Sequence, residues 1–179
     1  MTTMTCLIPL DGSSFSRQIL PVVRRVLNPA NYQLTLIRVA AAPQGLTPLP
    51  PRPIAINYTT APLYESAYDA QLAHHPIYAS QIADNVAALL QDELQADAYY
   101  LQAAGFTVDT IVRFGDPADE IVAYAEANAV DLVAMATHGH SGLRRLVMGG
   151  IAQQALRRLS RPVLVVRPFA EADAQERLS

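Results

Sequence analysis

The sequence predicts an α/β protein whose five-stranded parallel sheet is doubly wound, with helices on both faces. Short apolar or β-branched runs alternate along the chain with segments whose apolar residues recur at helical spacing. Such alternation is typical of parallel strands joined by helical crossovers. Residues 131–137 are almost wholly apolar, as expected of a strand covered on both faces. The length of 179 residues suits a single domain of this kind.

The first part of the chain is predicted to form a strand, a helix and a second strand. Thr5–Leu10 is a short apolar run that ends in an Asp-Gly turn, as a buried strand does. Apolar residues of segment 13–27 fall on one helical face, but Pro21 lies inside the pattern and predicts a kink or a later start. Residues 32–40 are rich in strand-favouring side chains.

Residues 41–76 are rich in proline and interrupt this alternation. A loop of this length inside a compact domain is usually functional or mobile. A lid, a partner-binding arm and packed decoration all remain compatible with it. His74 and His75 are adjacent in the segment, but no third ligand is placed near them, so a metal site is not favoured.

The remaining elements follow a regular order. The patterns predict a helix over 77–104, a strand over 106–114, a helix from Pro117, a strand over 131–137, a helix over 150–159 and a strand over 162–167. Asp116 is expected to cap the helix that begins at Pro117. The last residues, 171–179, are mostly polar and are expected to fray.

Composition excludes several classes of protein. All 13 basic residues are arginine, so the usual P-loop NTPase and any Schiff-base lysine chemistry are excluded. Cys6 is the single cysteine, which excludes an intrachain disulfide and a cysteine-based metal cluster. No apolar run approaches ~18 residues, and the N-terminal segment does not have the pattern of a signal peptide. We therefore expect a cytoplasmic protein without a membrane partner.

The charge is unevenly distributed. Residues 132–170 contain six arginines and no acid, whereas the rest of the chain has seven arginines and 16 acids. This separation suggests an anionic partner for the C-terminal third, although solvated surface arginines explain it equally well. Nucleic acid is disfavoured as that partner, because the whole chain is acidic and the basic third lacks interleaved aromatic residues.

The loop after the fourth predicted strand has the features of a phosphate cradle. Its glycines let the backbone approach a ligand closely, and Gly149-Gly150 lies at a predicted helix N-terminus, which favours an anion. Thr137, His138, His140 and Ser141 add side-chain donors. The loop would stand at the carboxyl end of the sheet, where doubly wound folds bind ligands. Two ordinary turns flanking a tight crossing remain an alternative.

This loop also resembles that of the universal stress protein family, whose nucleotide-binding members carry G-x-x-G, nine residues, then G-[ST]. The corresponding residues are 136–139, 140–148 and Gly149-Gly150. Similar segments recur at 8–13, 38–39, 115–118 and 160–167. The resemblance covers nearly the whole chain except 41–76 and the tail. It implies the strand order 3-2-1-4-5 within a domain of residues 1–170.

The resemblance implies a site for ATP, or for ADP or AMP, with Mg²⁺ accompanying the nucleotide. Asp11 would contact the adenosine through its carboxylate, and Val39 would meet adenine through its backbone. A plain turn or N-cap aspartate remains an alternative for Asp11. The other residues implied or suggested are Pro9, Leu10, Met135, Ala136, His138, Gly139, His140, Ser141, Gly149, Gly150 and Ile151.

Two residues depart from the family pattern. Ala136 replaces the first glycine, and Gly150 replaces the hydroxyl residue. Loss of a hydroxyl that bonds a charged phosphate costs ~1.5–3 kcal/mol, which corresponds to a ~10- to 100-fold loss of affinity. The arginines at 144 and 145 are candidates for compensating this loss, or are merely solvated.

Three functions are compatible with these residues. The leading interpretation is a stress-response protein that binds an adenine nucleotide and hydrolyses it slowly or not at all, because no base–nucleophile pair is apparent. The alternatives are a dimeric interaction module without nucleotide and a slow nucleotide hydrolase on the same fold. In each case we expect a homodimer through the apolar last strand, residues 163–168, which resembles the pairing strand of the family.

Overall fold

The computed structural model describes residues 3–41, 76–137 and 150–168, with side chains of 76–82 excepted. Its strands are parallel and form one sheet in the order β3-β2-β1-β4-β5. Their bounds are β1 Met4–Pro9, β2 Tyr32–Ala40, β3 Thr107–Phe114, β4 Leu132–Ala136 and β5 Val163–Val166. The predicted doubly wound fold and its strand order are confirmed.

Five helices are described: α1 Ser14–Arg17, α2 Ile19–Val26, α3 Pro76–Gln102, α4 Pro117–Ala127 and α5 Gly150–Arg158. The chain divides into two compact units, one of Met1–Ala41 with Leu89–Ser179 and one of Ala42–Ala88. The sheet belongs to the first unit. In the second unit the described residues are 76–88, and all are helical. The proline-rich residues 42–75 lie outside the described part of the chain.

The first predicted helix is two helices that meet at Gln18. Because α2 begins at Ile19, Pro21 falls in its first turn, where a missing N–H removes no intrahelical bond. The kink or later start expected from Pro21 thus takes the form of a break at Gln18, after which α2 begins two residues before the proline. Apolar Ile19, Leu20 and Val23 then point into the core.

Each face of the sheet carries its own hydrophobic cluster. On one face, Ile8 and Leu36 pack with residues of α2 and α3, such as Val23 and Leu101. On the other face, Leu7 and Ile37, whose side chains point the opposite way, pack with residues of α4 and α5. The alternation of side chains along β1 and β2 thus separates the helices into two layers.

Capping residues fix where α4 begins. The Asp116 carboxylate accepts hydrogen bonds from the backbone N–H groups of Ala118 and Asp119, both at 3.0 Å. Pro117 occupies the first turn, where its missing N–H costs nothing. The predicted cap is confirmed, and α4 brings Ile121 and Ala125 under the sheet.

Candidate functional site

The strand order reverses between β1 and β4, the point at which doubly wound sheets have a crevice at their carboxyl edge. The ladder between these strands comprises Cys6 with Leu132 and Leu7 with Val133. Beyond them the chain leaves β1 for α1 and α2 on one face, whereas α5, which follows β4 in the chain, packs on the other face. Ligands of doubly wound sheets bind at this point, outside the carboxyl ends of the strands.

Asp11 stands in a hydrogen-bonded turn at the β1 side of the crevice. Its Oδ1 accepts a hydrogen bond of 2.9 Å from the backbone N–H of Ser13. Ser13 in turn caps α1, because its Oγ accepts from the backbone N–H of Ser16 at 3.1 Å. Asp11 is exposed, so its position combines an ordered turn with access from solvent.

Gly12 has a backbone that favours glycine, and it lies close to a cation. Its φ is +82°, in the left-handed region that L side chains rarely adopt. A β-carbon there would overlap Nη1 of Arg38 and lie 2.8 Å from Nη2, so the guanidinium occupies the space of a side chain. From the sequence, Arg38 and Val39 are expected at the end of the second strand, and only Val39 is a candidate site residue.

Of the predicted site residues in the strands, several are core residues. Leu10 and Met135 are 3% and 4% exposed, so their side chains belong to the two hydrophobic clusters. Val39 and Ala136 are half-buried and pack against those clusters as well. Pro9 ends β1. These residues can therefore offer a ligand mainly backbone groups, as was expected for Val39.

The β4 side of the crevice leads to the N-terminus of α5. Gly150 is its first residue and is exposed, and a β-carbon built there lies more than 4 Å from every described neighbour. Ile151 follows with 48% of its surface exposed. The helix start can therefore accommodate a side chain at position 150, including the hydroxyl that the family pattern has there.

The rest of the predicted cradle lies outside the described residues. This applies to His138, Gly139, His140, Ser141 and Gly149. Just before it, the backbone N–H of Thr137 donates to the carbonyl of Val166 at 2.9 Å.

Acidic residues of α4 pair with part of the basic C-terminal third. Arg158 forms an ion pair with Asp119, and Arg161 lies 3.8 Å from Glu126. A hydrogen bond of 2.6 Å from the Ser160 hydroxyl lowers the pKa of Glu126, and Arg161 adds to this effect. Two of the six arginines thus have partners within the protein, which weakens the charge argument for an anionic ligand.

Other chemistry finds little support in the described part of the chain. Burial raises the pKa of the Cys6 thiol to about 12, so it stays protonated and unreactive. Among the described residues, no group of three or more His, Cys, Asp or Glu side chains could hold a metal ion. None of the described helices is both long and apolar enough to cross a membrane.

Strand order, helix layers and the crevice together define an α/β protein of the doubly wound class. Within this class the chain belongs to the universal stress protein family, because the model of that family matches residues 3–167. It is 45% identical over 67 residues to universal stress protein Slr1230 of Synechocystis sp., and 36% identical over 67 residues to MJ0577 of Methanocaldococcus jannaschii. Each match covers 37% of this chain but only 23% and 41% of the respective relative.

Solved structures support the same fold. The structure of MJ0577 has a TM-score of 0.65 at 19% identity, and the match covers 96% of this chain and 100% of the MJ0577 chain. A universal stress protein in complex with cAMP has a TM-score of 0.57 at 19% identity, covering 94% and 100%. A third, from Archaeoglobus fulgidus in complex with dAMP, has a TM-score of 0.54 at 12% identity, covering 92% and 98%.

Proposed function

We propose that this universal stress protein binds an adenine nucleotide in the crevice between β1 and β4. The observation that carries the proposal is the strand order β3-β2-β1-β4-β5, which reverses between β1 and β4, with Asp11 directly after β1. Asp11 would accept a hydrogen bond from the adenosine, and the backbone of Val39 would meet the adenine. The dAMP, cAMP and AMP complexes of other family structures support an adenine ligand.

The phosphates would lie toward α5. Gly150 begins this helix, whose free N–H groups and dipole favour an anion. Residues His138, Gly139, His140, Ser141 and Gly149, which lie outside the described part of the chain, would complete the cradle. We propose ATP, ADP or AMP as the ligand, with Mg²⁺ accompanying the di- and triphosphates.

We further propose binding without rapid turnover. Among the described residues, the carboxylate of Asp11 is assigned to the adenosine, and the strand ends and the start of α5 offer backbone groups rather than a base at the phosphates. Steady-state phosphate release well below ~1 s⁻¹, the lower edge of ordinary enzyme rates, is therefore expected. Faster release would favour the hydrolase alternative.

The nucleotide content of freshly purified protein, read by mass spectrometry, tests the proposal without choosing a ligand in advance. Calorimetry with ATP, AMP and cAMP then measures affinity. Gly149→Val should abolish binding because it blocks close approach of the backbone. Ala127→Val, at an exposed position at the end of α4, introduces the same side chain away from the proposed site and is the control. Absence of bound nucleotide and of heat with all three ligands would favour the ligand-free module.

We also propose that β5 pairs with its copy in a homodimer. The carbonyl groups of Pro162 and Val166 accept from β4, so the alternating N–H and C=O of Val165 point to the free edge. The Val165 side chain is 37% exposed. An edge of this kind is self-complementary about a two-fold axis.

Val165→Pro removes the outward donor and should convert the dimer to a monomer in light scattering at tens of micromolar. Val165→Thr keeps the donor and serves as the control. A monomeric wild-type protein would refute the dimer, and a dimer that survives the proline would place the interface elsewhere.

A further inference from the structure

Arg17 holds the backbone of the turn that contains Asp11. Its Nη1 donates a hydrogen bond of 2.7 Å to the carbonyl of Gly12. Its Nε lies 3.0 Å from both carboxylate oxygens of Asp97 on α3. Asp97 is only 8% exposed, so a nearly buried carboxylate fixes the guanidinium that binds the turn.

Arg38 packs against the same peptide. Its guanidinium fills the space beside the α-carbon of Gly12, as described above. Its Nη2 lies 3.8 Å from Oε2 of Glu93, also on α3, and its side chain is 18% exposed. Arg38 thus places a second guanidinium against the Gly12 peptide.

The two carboxylates are arranged to act together. Glu93 and Asp97 are four residues apart, so they lie on the same face of α3, one turn from each other. The local bonds of Ser13 fix Asp11 relative to α1. The backbone N–H of Leu10 joins the start of the turn to β2 by donating to the carbonyl of Ile37 at 2.9 Å. The two arginines add contacts at the Gly12 peptide itself.

We propose that Arg17 and Arg38 are positioning residues for the nucleotide, acting through Gly12 on the carboxylate of Asp11. The inference rests on the proposed nucleotide site and assigns to it two residues that need not touch the ligand. A turn that is ordered before binding spares the ligand the cost of ordering it. A loosened turn would present Asp11 correctly in only a fraction of molecules and would lower the apparent affinity by that fraction.

The test compares Arg17→Met and Arg38→Met with the control Arg24→Met. Arg24 is an arginine of α2 whose guanidinium lies 4.4 Å from the centre of the Tyr100 ring. For each variant, the ¹⁵N heteronuclear NOE at Gly12 and Ser13 is measured without nucleotide, and AMP affinity is measured by calorimetry. The NOE reports picosecond to nanosecond order of the turn.

We expect Arg17→Met and Arg38→Met to lower the NOE at both positions and to weaken AMP binding about tenfold. Arg24→Met should change neither. Arg17→Lys keeps a cation beside Asp97 but loses the forked donors that reach Asp97 and Gly12 together. Compared with Arg17→Met, Arg17→Lys should therefore recover more of the wild-type thermal stability than of the wild-type AMP affinity.

In a second set of variants, Asp11→Asn is combined with each of these arginine substitutions. If the arginines act through Asp11, Arg17→Met should weaken AMP binding little further in that background. Full additivity would refute the proposed route, and so would a disordered turn with unchanged AMP affinity. An unchanged NOE in both methionine variants would show that the two arginines do not order the turn. A wild-type protein that binds no nucleotide would overturn the proposed function and the positioning role. The NOE would still decide whether the arginines order the turn.

Discussion

The two ends of the proposed site differ in how they are held. The Asp11 turn is restrained by a capped helix, a partly buried ion pair and a guanidinium packed beside Gly12. At the start of α5, no described residue lies within 4 Å of a β-carbon built at Gly150. The difference indicates that the turn at Asp11 is ordered by its neighbours, whereas position 150 tolerates a side chain.

The same substitution at both ends tests this comparison with the largest expected effect. Gly12→Ala should destabilise the fold by ~1–3 kcal/mol, because alanine strains a left-handed backbone and displaces Arg38. Gly150→Ala should be neutral or stabilising by up to ~1 kcal/mol, because a helical residue gains from a β-carbon. Urea unfolding of the two variants measures the contrast, and equal destabilisation would contradict it.

The partly buried ion pair of Arg17 with Asp97 gives a more specific prediction. Asp97→Asn should cost roughly 1–3 kcal/mol, below the ~3–5 kcal/mol of a fully buried pair, because the Arg17 side chain is 38% exposed. Glu93→Gln is the matched control, since its side chain is 54% exposed and its pair is 3.8 Å long. Thermal unfolding should shift clearly for the first variant and little for the second.

At the phosphate end we expect a gain of function. Gly150→Ser restores the hydroxyl of the family pattern at a position with free space, and should tighten ATP binding up to ~10-fold, if the hydroxyl reaches a phosphate oxygen. Gly150→Ala supplies the same β-carbon without the hydroxyl. Equal affinities for the two variants, measured by calorimetry, would show that the hydroxyl gains no contact.

The smallest effect concerns the contact between α4 and the chain after α5. The Ser160 hydroxyl lowers the pKa of Glu126 from its ordinary value of 4.5. A lowered pKa in the folded state adds stability above that value, and the added stability is lost as the pH falls through the folded pKa. Ser160→Ala should therefore be slightly less stable than wild type at pH 7, with the difference vanishing under acid conditions. A difference that persists there would exclude Glu126 as its source.

Much of the fold could be predicted because it depends on local patterns. Alternation along the strands, the Asp116 cap and the apolar run of β4 each gave an element within about two residues of its bounds. The position of Pro21 indicated the late start of α2, although the break at Gln18 has no sequence pattern of its own. Helix ends depend on single hydrogen bonds and are less predictable than helix faces.

The site was predicted less completely. Asp11 and Gly150 are recognisable from their neighbours in sequence and lie at the expected ends of β1 and α5. Arg17 and Asp97 are 80 residues apart in sequence, and nothing in the sequence near either of them indicates the other. Such a pair arises only when α3 packs beside α1, so it emerges from tertiary structure alone.

A titration of ¹⁵N-labelled protein with AMP, followed by amide chemical shifts, tests the central claim most directly. A nucleotide bound between β1 and β4 should cause saturable shifts at Gly12, Ser13 and Val39 on one side of the crevice and at Gly150 and Ile151 on the other. The amides of β3, such as that of Asp109, should stay unchanged. Shifts confined to β3 or to α3, or no shifts at millimolar AMP and ATP, would contradict a nucleotide site between β1 and β4.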